Sequence, residues 1–151
     1  MLTPESSARE QEYFDMGEAN ANLVGSFSGV FAAAGHVYYV PSHTGSVFSG
    51  QLSRVSVSNF AASGVETFDL TSIHDELRSF EGGMATDTHA YYCPGYNNMS
   101  PYYHGRLVRV LLSDFSLTGV EYIDLAGYSA PSGTLTLGGL APNLGLCHPA
   151  R

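Results

Sequence analysis

Lysine and tryptophan are both absent from this 151-residue chain, and arginine occurs only six times against fourteen acids, for a formal net charge of -8. The six arginines are scattered along the sequence. A duplex-binding or anionic-membrane surface needs a basic patch, so nucleic-acid binding is not expected. Without lysine there is no phosphate-binding glycine loop ending in Lys, and no G-x-S-x-G, H-E-x-x-H or C-x-x-C run occurs either. The two cysteines, Cys93 and Cys147, give no framework pattern and read as small buried hydrophobes that leave the redox compartment and localisation unknown. Met1 to Phe14 shows no basic start followed by an apolar run, and no stretch reaches the roughly 20 apolar residues of a membrane helix, so neither a secretory signal nor membrane insertion is expected.

What the chain does have is glycine, seventeen residues of it, together with ten tyrosines and eight phenylalanines. That mixture favours turns and strands over long helices. The residues are also repeated. Phe27 to Leu70, laid over Phe80 to Leu125 with one two-residue insertion near Tyr102 and Tyr103, gives 18 identities in 44 pairs. The flanks continue the pattern. Gln11 to Met16 (QEYFDM) matches the closing VETFDL and VEYIDL of the two units, and Gly138 to Pro149 echoes Gly82 to Pro94. Self-similarity at this period marks a repeat architecture.

Each unit divides into four β-like runs bounded by turn residues. They are Gly29 to Ala33, His36 to Pro41, Gln51 to Val57 and Val65 to Leu70, then Gly82 to Thr86, His89 to Pro94, Arg106 to Leu112 and Val120 to Leu125. Gly35, Asp87-Thr88, Ser63-Gly64 and Thr118-Gly119 fall where tight turns with positive φ are expected. The second and third runs are apolar on both sides, as in VYYV and LVRVLL, which suits a sheet sandwiched between other sheets.

The order G-(V/G)-x-A-x-x-x-H-x-Y-Y-x-P, a loop, L-x-R-V and then V-E-x-x-D-L resembles the blade repeats of YVTN-type β-propellers, although Tyr39-Val40-Pro41-Ser42 and Tyr92-Cys93-Pro94-Gly95 stand in place of the eponymous tetrad. The lack of tryptophan argues against WD40 and kelch repeats. The resemblance implies an all-β fold: an incomplete β-propeller of two full four-stranded antiparallel blades (27–79 and 80–135), preceded by the end of another blade (11–26) and followed by the start of a further one (136–151). It implies a binding scaffold and no particular reaction. Such an array, with open outer faces carrying Phe14, Leu140 and Leu146, is expected to need further blades or to self-associate.

Residues that recur at the same place in both units are read as serving the unit. His36 and His89, the tyrosine pairs Tyr38-Tyr39 and Tyr91-Tyr92, and Phe60 and Phe115 at the third turn all fall in this class. Arg54 is expected to pair with Asp69 or Glu66, and Arg109 with Asp124 or Glu121, both shielded from water. His74-Asp75-Glu76 is read as a solvated connection rather than a metal site, and no cofactor or metal is expected. The feature that varies between units is the loop Gly95 to His104 (GYNNMSPYYH) against Ser42 to Ser49 (SHTGSVFS), and variation on a constant scaffold is where binding concentrates. Tyr96, Asn97, Asn98, Tyr102, Tyr103, His104 and His43 are therefore the candidate binding residues, with a composition suited to a protein or glycan partner. Asn98-Met99-Ser100 also fits a glycosylation acceptor. The expected function is a non-enzymatic binding or structural module; the alternatives are a fragment of a propeller lyase or hydrolase, or a gene remnant without activity.

Overall fold

The computed structural model describes residues 13–125, apart from positions 24, 26, 44, 46 and 99–103. A short helix α1 (Met16–Ala19) precedes eight strands: β1 (Phe27–Ala33), β2 (His36–Pro41), β3 (Gln51–Ser56) and β4 (Val65–Asp69), then β5 (Phe80–Ala85), β6 (His89–Pro94), β7 (Arg106–Leu111) and β8 (Val120–Asp124). They form two separate four-stranded sheets in the orders β1-β2-β3-β4 and β5-β6-β7-β8, every neighbour antiparallel. The described chain is thus all-β, and the strands lie within a residue or two of those read from the turn residues.

The two sheets share one register. Tyr38 stands opposite Arg54 and Arg54 opposite Glu66 in the first; Tyr91, Arg109 and Glu121 make the same row in the second. Even the irregularities repeat: a bulge falls between Phe27 and Gly29 in β1 and between Phe80 and Gly82 in β5. Because a bulge adds one residue to one strand only, its recurrence means that the pairing of the first strand of each sheet is interrupted at the same point in both units.

The turns correct the sequence reading. The β1–β2 hairpin has Ala34 at φ 46° and Gly35 at φ 73°, the paired positive angles of a two-residue turn that matches strand twist. Asp87 and Thr88 do not repeat this; the Thr86 N–H bonds the His89 carbonyl and the turn stays at negative φ. Gly64 and Gly119 also have ordinary φ. They are glycines for space: a Cβ would lie 1.9 Å from the Asn59 carbonyl oxygen in one unit and 2.0 Å from that of Asp114 in the other. Each closes a short 3-10 turn, Ala62–Gly64 and Leu117–Gly119, so the β3–β4 connection is a folded loop and not a tight hairpin.

The core lies between the sheets. Tyr38, Val40 and Leu52 from the first sheet meet Phe80, Ala90, Tyr92, Val108 and Val110 from the second, and Leu70 and Leu77 from the connection join them. Pleating sends successive side chains to opposite faces, so the face of the first sheet that carries Phe31, Tyr38, Leu52, Arg54 and Glu66 packs on the face of the second that carries Gly83, Tyr92, Val108 and Val110. We call these the front of sheet one and the back of sheet two. Phe31 crosses this boundary. Its ring stacks on Tyr38 at 5.2 Å and sits against Gly83, where an added Cβ would come within 2.5 Å of it.

Two readings change at this boundary. Phe60 and Phe115 do not merely plug their own turns. Phe115 reaches across to sheet one, edge-on to Phe68 at 4.9 Å and to Tyr38 at 5.6 Å. Phe60 reaches outward in the same way to Phe14, edge-on at 5.0 Å. Cys93, buried on β6, is engaged in a disulfide and is not a free thiol.

Candidate functional site

The varying loops lie at the end of the sheets where β2 turns into β3 and β6 into β7. In the first, an isolated antiparallel bridge pairs His43 with Phe48, and Gly45 sits at the tip with φ 78° and donates its N–H to His43 Nδ1 at 3.2 Å. Gly45 is glycine because the left-handed region that closes so short a loop costs other residues about 1 kcal/mol or more. The second loop brings Tyr96 to the same place. His43 and Phe48 have ring centroids 6.0 Å apart, and Phe48 and Tyr96 5.5 Å apart, both edge-on. Such geometry sets the positive ring edge against the negative face of its neighbour. Two loops some fifty residues apart in sequence thus make one aromatic cluster. The Tyr96 hydroxyl donates to Asn98 Oδ1 at 2.8 Å, and Asn98 turns the chain away at φ 55°.

The candidate residues divide by burial. His43, Tyr96 and Asn98 are exposed. Asn97 and His104 are buried, so their side chains do not face solvent as those of the other three do. Asn97 donates through Nδ2 to the Glu76 carbonyl at 3.5 Å. His104 sets Nε2 3.0 Å from the Ser79 carbonyl oxygen and packs edge-on against Phe80. Ser79 itself holds φ 61° and donates its N–H to the Ser49 carbonyl, so it ties both loops to the junction between the sheets. Burial is the first cause that lowers the pKa of His104, with the Ser79 carbonyl opposing it, and the ring is held neutral. Tyr102 and Tyr103 lie outside the described residues.

Beside the aromatic cluster runs a polar groove of about 410 Å³. It is lined by Val47, Phe48 and Gln51 from the first loop and strand, Asn22 from the amino-terminal segment, and Asp69 and Arg78 from the connection between sheets. Asp69 uses Oδ1 to accept from both the N–H and hydroxyl of Thr71, and Arg78 Nε donates to the Asp75 carbonyl at 2.6 Å. Asp69 therefore caps a turn and does not pair with Arg54. Sequence reasoning missed this groove, because its walls come from three segments that no local motif connects. No group of three or more His, Cys, Asp or Glu suited to a metal ion occurs among the described residues. His74-Asp75-Glu76 is not a purely solvated connection: Glu76 pairs with Arg106, and His74 packs edge-on to Tyr122 at 6.1 Å.

The arginines complete the geometry. Arg54 holds Glu66 by two parallel bonds, Nε to Oε1 at 3.1 Å and Nη2 to Oε2 at 2.9 Å, and Nη1 donates both to the Tyr38 hydroxyl and, across the boundary, to the Leu112 carbonyl of sheet two at 2.9 Å. The Phe115 ring lies under its guanidinium at 4.6 Å. Arg109 pairs with Glu121, Nε to Oε2 at 2.8 Å, yet its side chain is 44% exposed against 10% for Arg54. The pairing of both arginines follows the sequence expectation, but the shielding of Arg109 does not, since nothing among the described residues covers that face. Arg106 bonds Asp124 at 3.1 Å.

No helix among the described residues is long and apolar enough to cross a membrane. Searches against protein-family models, curated proteins and solved structures return no match to the chain.

Proposed function

We propose that the chain is a non-enzymatic binding module built from propeller-type blades, which contacts a protein or glycan through the loop end that carries His43, Phe48 and Tyr96. The observation that carries this reading is the aromatic cluster itself: two loops that differ between otherwise matching repeats meet edge to edge and leave a partly exposed tyrosine beside a polar groove. Aromatic rings supply a large contact area with little side-chain entropy to lose, and neighbouring amide and carboxylate groups add directional hydrogen bonds. Repetition of register, bulge and the 3-10 turn before the last strand in two four-stranded meanders supports the blade reading.

The catalytic alternative has no comparable support. Three of the described titratable groups with shifted pKa values are engaged in structural contacts: Arg54 and His104 at the sheet junction, and Asp114 accepting from Ser116 and Thr118 in its own turn. The test is a glycan array and a panel of immobilised extracellular and intracellular protein extracts probed with the labelled chain and with Tyr96→Ala. The expected result is a set of ligands for which Tyr96→Ala weakens binding at least about tenfold, the loss of roughly 1.4 kcal/mol. Ligands bound equally by both forms would overturn the assignment of this loop end.

A further inference from the structure

Cys93 is engaged in a disulfide, and the chain has one other cysteine, Cys147. Cys93 lies on the front of sheet two, the face turned away from sheet one, which also carries Tyr91, Arg109 and Glu121. That face is covered unevenly. On its β5–β6 side Gly82 and Cys93 are buried, whereas Arg109, Glu121 and Ile123 on β7 and β8 are exposed. Gly82 stands opposite Cys93 in the sheet and has no side chain with which to supply the cover. We propose that the cover is the chain's own segment 138–149, which lies outside the described residues, fastened to the front of sheet two by a disulfide between Cys93 and Cys147.

The repeat supports this occupant. Pro149 set on Pro94 puts Cys147 at the position of Tyr92. Tyr92 is on the back of sheet two, in the buried cluster that also holds Val40, and Val40 is the equivalent of Cys93 in sheet one, each standing opposite the glycine that follows the bulge. Cys93 and Cys147 thus hold, one unit further on, the places of two residues that share a core. The side that is covered agrees as well. β5 packs on β1 and β2, so the opening strands of a unit lie over the opening strands of the unit before it. Residues 138–149 echo those two strands alone. The turn that delivers Leu112 and Phe115 to Arg54 has no counterpart in 138–149, and the Arg109 side chain is left 44% exposed.

The bond demands a close approach. A disulfide holds its two Cα atoms about 4.4–6.8 Å apart, nearer than the roughly 10 Å between packed sheets. Glycine stands beside each cysteine. Gly82 is paired with Cys93, and Gly139, the match of the Gly83 that is paired with Tyr92, falls beside Cys147. With no side chains at these two places, the backbones can come within reach of the bond. Its formation takes two electrons and two protons from the two thiols. A disulfide of an oxidising compartment accepts them through a mixed disulfide and leaves as two thiols. This inference is independent of the loop reading above.

The test is peptide mapping of the oxidised full chain without reductant. Trypsin cuts this lysine-free chain only after arginine, so the expected product joins residues 79–106 to residues 110–151 in a protein of monomer mass. Two free thiols, or a bond between two copies, would overturn the proposal. Docking is read separately by hydroxyl-radical modification of Met84 and Leu107, which flank Cys93 on the same face. Both should become several-fold more reactive in Cys147→Ser while Tyr38 and Tyr92 stay protected, the check on folding; reactivities that do not change would mean that the bonded segment does not lie on the sheet, and the proposal fails. Gly139→Val keeps both cysteines and obstructs the approach. In a thiol–disulfide buffer it should lower the effective concentration of the two thiols about tenfold. An effective concentration equal to that of the wild type would contradict the placement of Cys147 on Cys93.

Discussion

Arg54 and Arg109 occupy one position of a repeat, hold the same glutamate on the next strand, and live in different solvents. The first is sandwiched between sheets, with a backbone acceptor and an aromatic ring supplied by sheet two; the second keeps to partners of its own sheet, Glu121 and Tyr91. The lesson extends to the tyrosines. Tyr38 and Tyr91 are equivalent, yet Tyr38 is buried and Tyr91 is half-exposed, while their neighbours Tyr39 and Tyr92 show the opposite pattern. A sequence repeat fixes the strand and the face to which a side chain points. Whether that face is covered depends on which side the neighbouring sheet approaches from.

The largest expected effect separates the two arginines. Arg54→Ala removes a buried cation, its carboxylate pair and the bond to the Leu112 carbonyl, and should cost on the order of 3 kcal/mol in urea unfolding. Arg109→Ala should stay within about 0.5 kcal/mol under conditions where the chain is monomeric, because an exposed pair contributes little. Equal losses would break the comparison.

The glycines sharpen it from the other side, since here the two units must behave alike. Gly64→Ala and Gly119→Ala each drive a methyl group into a backbone carbonyl, and each should destabilise by about 1–3 kcal/mol. A large difference between them in thermal unfolding would show that the two β3–β4 turns are not equivalent.

A pH titration isolates a feature that only unit two possesses, as Ser49 stands where His104 does. The folded chain holds His104 neutral with a lowered pKa, while the unfolded imidazole takes up a proton near its ordinary value of about 6.5. Its contribution is therefore complete above that value and is lost as pH falls toward the lower folded pKa. Melting curves of wild type and His104→Gln between pH 8 and 5 should diverge least at the acid end. A wild type no more acid-sensitive than His104→Gln would contradict the burial of this ring.

The smallest effect concerns a hydroxyl. Tyr92 is fully buried, its phenol pKa is pushed up by burial, and its oxygen has no hydrogen-bond partner among the described residues. Tyr92→Phe should be neutral or stabilising by up to about 1 kcal/mol, whereas Tyr38→Phe loses the bond from Arg54 Nη1 and should destabilise by a similar amount.

Much of this architecture was legible in the sequence, because glycine, proline and paired small polar residues punctuate runs too short and too β-branched for helices. Strand order followed from four consecutive runs with short connections. The arginine-glutamate rows followed from register, since residues opposite one another in a meander repeat wherever the meander does. What the sequence concealed was tertiary. Gly64 and Gly119 look like turn glycines, and only folding brings up the carbonyl that excludes a Cβ. Asn97 and His104 carry the composition of a binding loop, yet backbone acceptors at Glu76 and Ser79, more than twenty residues away, draw them inside. The aromatic cluster drew His43 and Tyr96 together through Phe48, a residue whose equivalent in the second unit is Pro101 and which the repeat therefore left unmarked.

Hydroxyl-radical footprinting of the four tyrosines, at a concentration where sedimentation gives a monomer, tests most directly the claim that equivalent faces are covered in one sheet and open in the other. Tyr38 and Tyr92 should be protected while Tyr39 and Tyr91 are modified. Protection of the same member of the pair in both sheets, Tyr38 with Tyr91 or Tyr39 with Tyr92, would contradict the stacking of the front of sheet one on the back of sheet two.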